Sequence, residues 1–360
     1  MRILIVDTCY PAFLRAHYRA RPGLDEQSYA QQWRALMDTF FGTADSYSHH
    51  LVALGHEAHE VIANAAPLQA AWLREHGVRA RRVLERWRRE AVVTAQAEDF
   101  RPDVVYVQNL HFLGPRTLDR LRSIAGSVVG QIASEPPRGA LLRRFDLVLT
   151  SFPHFVETFR REGVSSEYFR LGFDERVLRR LEEEGAPTEL AGAVFVGALN
   201  RRQHSTANAL LERAARQAPI EFWGYGARGW PPGSRVRRDY RGEAWGLEMF
   251  RILRAARVAL NRHIGVAGPF ANNMRLYEAT GVGTLLLTDS KQNLRELFEP
   301  GEEVVTYDGP EDLAEKIRYY LKHDEERRRI AAAGQARTLR EHTYARRMKE
   351  LVQILERALA

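Results

Sequence analysis

Side chains suited to holding a phosphorylated ligand recur just past apolar, strand-like runs of this chain. The clearest case is ALNRHIGVAGPFANNMRLYEATGVGTLLLTD, residues 259–289. Gly265 and Gly268 allow an open loop, and Asn272 or Asn273 is placed to cap the helix that follows. Arg275 and Glu278 are three apart, so they share a face one turn into that helix. A helix N-terminus beside an arginine favours an anion. A carboxylate one turn on can accept hydrogen bonds from the vicinal hydroxyls of a ribose. The spacing therefore suits a diphosphate with its adjoining ribose. A solvated Arg–Glu surface pair is the alternative, but the apolar runs RVALN and TLLLTD leave this helix little open face.

Two more turns have related chemistry. FVGALNRRQHS sets Gly197 at a strand end, then Arg201 and Arg202, then a helix start near Ser205. It reads as a second anion site or as a tight turn with two solvated arginines. FWGYGARGW places Gly224, Gly226 and Gly229 among Trp223, Tyr225 and Trp230. Glycines let backbone approach a flat ligand such as a nucleobase, with an aromatic covering one face. A packed turn is the alternative. Earlier in the chain, VYVQNLHFLG puts Asn109 and His111 just past a strand end, and QIASEPPRG puts Glu135 past the next. An imidazole or carboxylate at such a point can take the proton of an acceptor hydroxyl. Otherwise His111 packs and Glu135 is a turn carboxylate. His49, His50 and His56 hint at a metal, but helical spacing turns them to different faces, and no carboxylate pair has ligand spacing.

The elements that must position these residues alternate. Strand-like runs at 2–6, 56–62, 103–109, 127–133 and 145–151 are separated by helical patterns, one of them a long arginine-rich helix over about 66–96. A polar, linker-like stretch follows at 182–192. The alternation then resumes with AVFVGAL, IEFWGYG, RVALNRH, TLLLTD and EVVTYD, and two helical segments close the chain. Strand–helix alternation of this kind builds parallel sheets with crossover helices, so the fold class is α/β with two successive sheets of similar size. The segment 9–43 reads as an elaborated loop, and Gly42, Thr43 and Ser46 lead into the first regular helix.

Composition sets broad limits. At 360 residues, 45% hydrophobic and 28% charged, the chain suits two ordinary soluble domains. No apolar run approaches the length that crosses a bilayer. The start, MRILIVDTCYP, enters a β-like run without a leader pattern, and Cys9 is the sole cysteine. Both point to a reducing, cytoplasmic setting without disulfides or cysteine-built zinc sites. The net charge of +7 is carried mainly by arginine, the only lysines being Lys291, Lys316, Lys322 and Lys349. Arginine favours phosphate and carboxylate, but a general bias toward arginine is the larger cause of the total, so charge alone decides nothing. The stretch VRARRVLERWRRE, with Val83, Leu84 and Trp87 on one side, reads as a solvated helix packed on the core. Peripheral contact with an anionic membrane is the alternative.

The stretch NNMRLYEATGVGTLLLTDSKQNLRELFEPGEEVVTYDGPEDLAEKI closely resembles the donor-binding half of group-1, family-4-like glycosyltransferases, with the CgeB-like spore-maturation proteins as the nearest branch. The likeness rests on Arg–x–x–Glu–Ala, a glycine turn, an apolar strand ending Thr–Asp, then LFEPGEEVVTY and EDLAEKI. It is close over the last third of the chain and looser over the rest. The resemblance implies the GT-B architecture of two Rossmann-like doubly wound domains facing a cleft. The first, 1–175, would bind the acceptor, with a terminal helix at about 340–360 packing back on it. The second, 190–338, would bind the donor.

By the same resemblance Glu278 binds the donor ribose, and Gly197 with Arg201 or Arg202 faces the diphosphate. Tyr225, His263, Asn273 and Arg275 complete the donor set, while Gly42, Thr43, Ser46 and Asn109 line the first-domain side. His111 and Glu135 are the candidate catalytic groups. Many retaining relatives carry a second glutamate eight residues before the ribose-binding one, where this chain has Phe270. The implied activity is metal-independent sugar transfer from a nucleotide sugar, with UDP favoured over GDP or dTDP, to a saccharide or glycoconjugate in the cytoplasm, the inner face of the membrane being the alternative setting. No metal or other cofactor is expected; no Asp–x–Asp motif occurs. Glu278→Ala is expected to weaken donor binding with little effect on folding. A nucleotide-sugar epimerase of the same architecture is the alternative. A noncatalytic binding protein for nucleic acid or another anion is the rival from a different class, but no nucleic-acid-binding motif supports a nucleic-acid partner.

Overall fold

The computed structural model describes residues 1–77, 85–200 and 205–359. The chain divides into two compact units, one comprising Met1–Arg170 with Arg347–Ala360 and the other Leu171–Arg346.

The first unit holds a six-stranded parallel sheet. Its strands are β1 (Arg2–Asp7), β2 (Glu57–Ile62), β3 (Val104–Val107), β4 (Ser127–Ile132), β5 (Leu147–Thr150) and β6 (Ser166–Tyr168). They lie in the order β2-β1-β3-β4-β5-β6. Ile3, Leu4, Ile5 and Val6 are all buried, as a central parallel strand covered on both faces requires. The flanking helices follow local rules. Pro115–Ala125 starts with proline in its first turn, buries Leu118, Leu121 and Ala125 along one stripe, and ends at Gly126 with φ +76.

The second unit repeats the plan with β7 (Leu190–Val196), β8 (Ile220–Trp223), β9 (Tyr240–Gly242), β10 (Ala256–Leu260), β11 (Leu285–Asp289) and β12 (Val305–Tyr307). The order is β12-β11-β10-β7-β8-β9, with all pairs parallel. Phe195, Phe222, Leu260, Leu287 and Tyr307 belong to its core. Strand order reverses between β7 and β10 in this sheet and between β1 and β3 in the first. At such switch points neighbouring crossovers leave to opposite faces, and a crevice opens beyond the carboxyl ends of the two strands.

Three expectations need correcting. The segment 9–43 is largely helical, with helices Pro11–Arg19 and Tyr29–Met37 and a 3₁₀ turn at Leu24–Glu26. Pro11 opens the first. Ser28 and Gln31 form a reciprocal capping box on the second, a signal present in the sequence. The single helix over 66–96 is instead two segments, Ala66–Glu75 and Glu85–Phe100. The first ends before Gly77, whose φ is +64. Most of VRARRVLERWRRE lies outside the described residues. Finally, each sheet gains a strand of three residues at its edge, β6 and β9, too short to show a period.

Candidate functional site

The second unit gathers its candidate residues beyond the carboxyl ends of β7 and β10. The loop after β7 is held against the loop after β8. Gly197 N–H donates to the Trp223 carbonyl (3.0 Å) and Leu199 N–H to the Tyr225 carbonyl (2.8 Å). The Trp230 indole Nε1 donates to the Leu199 carbonyl (2.8 Å). Glycine is needed for this approach. Gly224 has φ +122, and a Cβ there would lie 2.0 Å from the Gly197 carbonyl oxygen. Arg201 and Arg202 lie outside the described residues. The helix that follows begins at Ser205.

The loop after β10 is tied down by polar side chains. Asn261 and Asn273 exchange amide hydrogen bonds (3.1 and 2.8 Å), and Asn261 also donates to Thr288 Oγ1 (3.0 Å). Asn273 Nδ2 reaches the Arg262 carbonyl as well (3.2 Å). Asn273 thus occupies the cap position of helix Met274–Gly281 while its side chain bonds elsewhere, leaving that helix without a side-chain cap. Asn272 precedes it at φ 153, a conformation unusual for a non-glycine residue. Its Oδ1 accepts the Tyr277 hydroxyl (2.8 Å).

His263 braces the same loop. Asn272 N–H donates to its Nε2 (3.4 Å), so the ring proton sits on Nδ1, which donates to Asp289 Oδ1 (2.6 Å). Burial would raise the Asp289 carboxyl. The bonds from His263 and the charge of Lys291 outweigh that and hold it below the usual carboxylate range.

One turn into the helix, Arg275 and Glu278 meet. Nη1 lies 2.9 Å from Oε2 as an ion pair, out of hydrogen-bond alignment. Arg275 Nη2 donates to the Val196 carbonyl at the end of β7 (3.0 Å) and touches Met249 Sδ (3.1 Å). Glu278 is 7% exposed. Burial raises its carboxyl, and the Arg275 guanidinium offsets part of that rise. The pair is therefore not a surface pair. Its burial argues against the expectation that Glu278→Ala has little effect on folding, because the variant strands a largely buried guanidinium. Nearby, the half-buried rings of Tyr225 and Trp245 stack, with centroids 5.6 Å apart and planes 16° apart. Trp245 was not among the residues singled out by sequence.

The first unit collects its candidates around the ends of β1 and β3. Thr43 Oγ1 donates to Gln108 Oε1 (3.1 Å) and Asn109 Nδ2 to Thr8 Oγ1 (2.7 Å). Gly42 turns with φ +66, and Ser46 is the buried first residue of helix Ser46–Ala53. His111 is exposed. Its amide donates to Asn109 Oδ1 (3.1 Å), and its Nε2 lies 2.9 Å from the backbone carbonyl of Glu135. The Glu135 carboxylate is not what His111 meets, and Glu135 is itself exposed.

Sequence reasoning passed over two charged groups at these strand ends. Asp7 is the last residue of β1. Burial pushes its carboxyl up to about 6, against a hydrogen bond from the Thr8 backbone. Arg262 is the second residue past β10 and is buried. In each case a charge at the end of an apolar run was the available signal.

Residues 201–353 match the protein family described as glycosyl transferase-like. No curated protein sequence matches the chain. Among solved structures, the chain is similar to HepE of Anabaena in complex with UDP-glucose, at TM-score 0.62 and 15% identity, covering 99% of this chain and 100% of that one. It is similar to sucrose-phosphate synthase of Thermosynechococcus elongatus, at TM-score 0.58 and 13% identity over 99% and 98% of the two chains. The likeness to AviGT4, a glycosyltransferase involved in avilamycin A biosynthesis, has TM-score 0.58 and 15% identity over 100% and 98%. At these identities the likeness is one of fold, that of the GT-B glycosyltransferases with two parallel-sheet, Rossmann-like domains. No helix among the described residues is long and apolar enough to cross a membrane.

Proposed function

We infer that the protein is a glycosyltransferase that moves a sugar from a nucleoside-diphosphate sugar to a hydroxyl acceptor. The observation that carries this reading is the buried Arg275–Glu278 pair one turn into a helix without a side-chain cap, beyond the switch point of the second sheet. It falls within the stretch that matches the glycosyl transferase-like family. In this reading the second unit binds the donor. Glu278 accepts the ribose hydroxyls, and the backbone N–H groups at the start of helix Met274–Gly281 face the diphosphate. Arg201, Arg202 and Arg275 supply positive charge there. As the bond from sugar to diphosphate breaks, negative charge grows on the leaving phosphate. Fixed dipoles and guanidinium groups stabilise it without a metal ion.

The first unit binds the acceptor, a saccharide or glycoconjugate of a surface polymer. A UDP-sugar is the favoured donor, and the UDP-glucose complex of the HepE relative supports that choice. The reaction takes place in the cytoplasm, with the inner face of the membrane as the alternative setting, and the CgeB-like branch is the finer family assignment. Phe270 replaces the second glutamate of many retaining relatives, which leaves a base in the first unit, His111 or Glu135, to take the acceptor proton if the configuration inverts.

A thermal-shift series with UDP, GDP, dTDP and their glucose conjugates tests the reading, since a ligand that binds only the folded state raises its stability with concentration. One diphosphate should stabilise the protein at micromolar to millimolar concentration, and its sugar conjugate should be consumed when acceptor saccharides are present. No stabilisation by any of them would refute the assignment. Conversion of the donor to an epimer without acceptor would favour an epimerase instead.

A further inference from the structure

Arg262 is the second residue past β10, and it lies at the switch point of the second sheet. It is 9% exposed. Its Nη2 donates to the Ala198 carbonyl (3.0 Å) and to Asn208 Oδ1 (2.7 Å), and its Cζ sits 5.3 Å over the Phe195 ring. Asn208 in turn donates to the Asn200 carbonyl (3.0 Å). The guanidinium therefore holds the loop after β7 from within the unit, on both sides of Leu199.

Its charge has no matching anion among the described residues. Among the described residues Arg262 is in no ion pair with a carboxylate, and its Nε has no hydrogen-bond partner. Asp289, the carboxylate that acts on it electrostatically, is already bonded to His263 and paired with Lys291. The adjoining residues outside the described set, 201–204, read Arg-Arg-Gln-His and include no acid. Burial lowers the pKa of Arg262 to about 10, so it is still charged at neutral pH. An unpaired buried cation carries a desolvation penalty, whereas a neutral amide can serve two carbonyl-type acceptors without it. A brace alone does not explain a charge here. An anion that arrives at this loop does.

We propose that Arg262 is a buried counter-charge for the donor diphosphate, a positioning residue acting through the Ala198–Asn200 backbone that it holds. The proposal rests on the reading of this site as the donor site. It makes charge, beyond loop shape, the contribution of Arg262, so it separates a diphosphate from its nucleoside.

The test measures binding to the full chain by titration calorimetry. The ligands are whichever of UDP, GDP or dTDP the wild type binds and the matching nucleoside, for wild type, Arg262→Gln and Arg262→Lys. For Arg262→Gln the diphosphate should bind about 10- to 100-fold more weakly while nucleoside binding stays within about twofold. Arg262→Lys should keep the diphosphate-over-nucleoside preference within about fivefold of wild type. Equal weakening of both ligands by Arg262→Gln would reduce Arg262 to a structural brace, and unchanged diphosphate binding would also overturn the proposal. Should Arg262→Gln fail to fold, loss of the preference in Arg262→Lys overturns it and retention supports it. A wild type that binds none of the three diphosphates refutes the donor-site reading itself, and the proposal with it.

Discussion

Arg275 and Glu278 form an ion pair at 2.9 Å in which the carboxylate is buried and the guanidinium partly so, and the same arginine is bonded to the Val196 carbonyl at the end of β7. One side chain thus joins the helix to the strand whose end borders the candidate donor site. Glu278→Ala removes the carboxylate and leaves the guanidinium buried beside carbonyl and thioether alone. The expected loss is ~3 kcal/mol of unfolding free energy, read from urea denaturation. Replacing both partners, as Arg275→Met with Glu278→Leu, should recover most of it.

The ribose assignment has its own readout. If Glu278 accepts the vicinal hydroxyls, the wild type prefers UDP over 2′-deoxy-UDP by roughly tenfold or more, the worth of a charge-assisted hydrogen bond. Glu278→Gln should bring the two affinities to within about threefold. A preference that survives the substitution places the ribose elsewhere.

Gly224 tests how tightly the loops after β7 and β8 abut. Alanine there meets both a φ of +122 and the Gly197 carbonyl oxygen. The conformational strain alone is worth about 1–3 kcal/mol, and relief of the clash requires the loops to part. Gly224→Ala should lower the melting temperature by several degrees and weaken diphosphate binding. Gly229→Ala, whose added methyl group would have nothing within 4 Å, should do neither.

Glu60 on β2 predicts a pH dependence of stability. It is 1% exposed, accepts the Ser48 N–H (2.8 Å) and shares a bond with the Ser48 hydroxyl (2.5 Å). Burial pushes its carboxyl up from 4.5 to about 8, although both Ser48 bonds pull the other way. The folded state therefore holds a proton that the unfolded chain releases. The associated stability is fully present below about pH 4.5, declines as pH rises, and is lost once pH passes about 8. Glu60→Gln keeps the shape and cannot ionise. It should flatten this decline, leaving the variant about 4 kcal/mol more stable relative to wild type at pH 8 than at pH 4.5. Parallel pH profiles would show that Glu60 titrates normally.

Removal of divalent metal tests the charge stabilisation assigned to arginines and the helix N-terminus. With EDTA in excess, sugar transfer should proceed within about twofold of its rate in magnesium. A loss of about tenfold or more, restored by magnesium or manganese, would assign that work to a metal ion instead.

Much of the fold is legible locally. The apolar runs of β1, β3, β4, β10 and β11 announce buried parallel strands, because strands covered on both faces have no polar side to break the run. Glycine at the ends of β7 and β8 marked loops that the structure holds together at the candidate site. The helices at Pro11–Arg19 and Tyr29–Met37 were also written in the chain, in Pro11 and in the Ser28–Gln31 box, although their polar, aromatic-rich surroundings read as loop. β6 and β9 were not, since three residues at a sheet edge carry no alternation to detect.

The sequence by itself determined two parallel α/β sheets, and it placed Glu278 and Arg275 on one helical face, because backbone periodicity sets both within a few residues. Only the tertiary structure decided that Glu278 is buried against Arg275, that His263 Nδ1 donates a hydrogen bond to Asp289, and that Arg262 lies under the loop after β7 with no acid paired to it among the described residues. Burial and charge balance depend on partners far along the chain. The Val196 carbonyl is 79 residues from Arg275, and Ala198 is 64 from Arg262. No local pattern records which distant side chains will exclude water from a charge, or whether one of them will neutralise it.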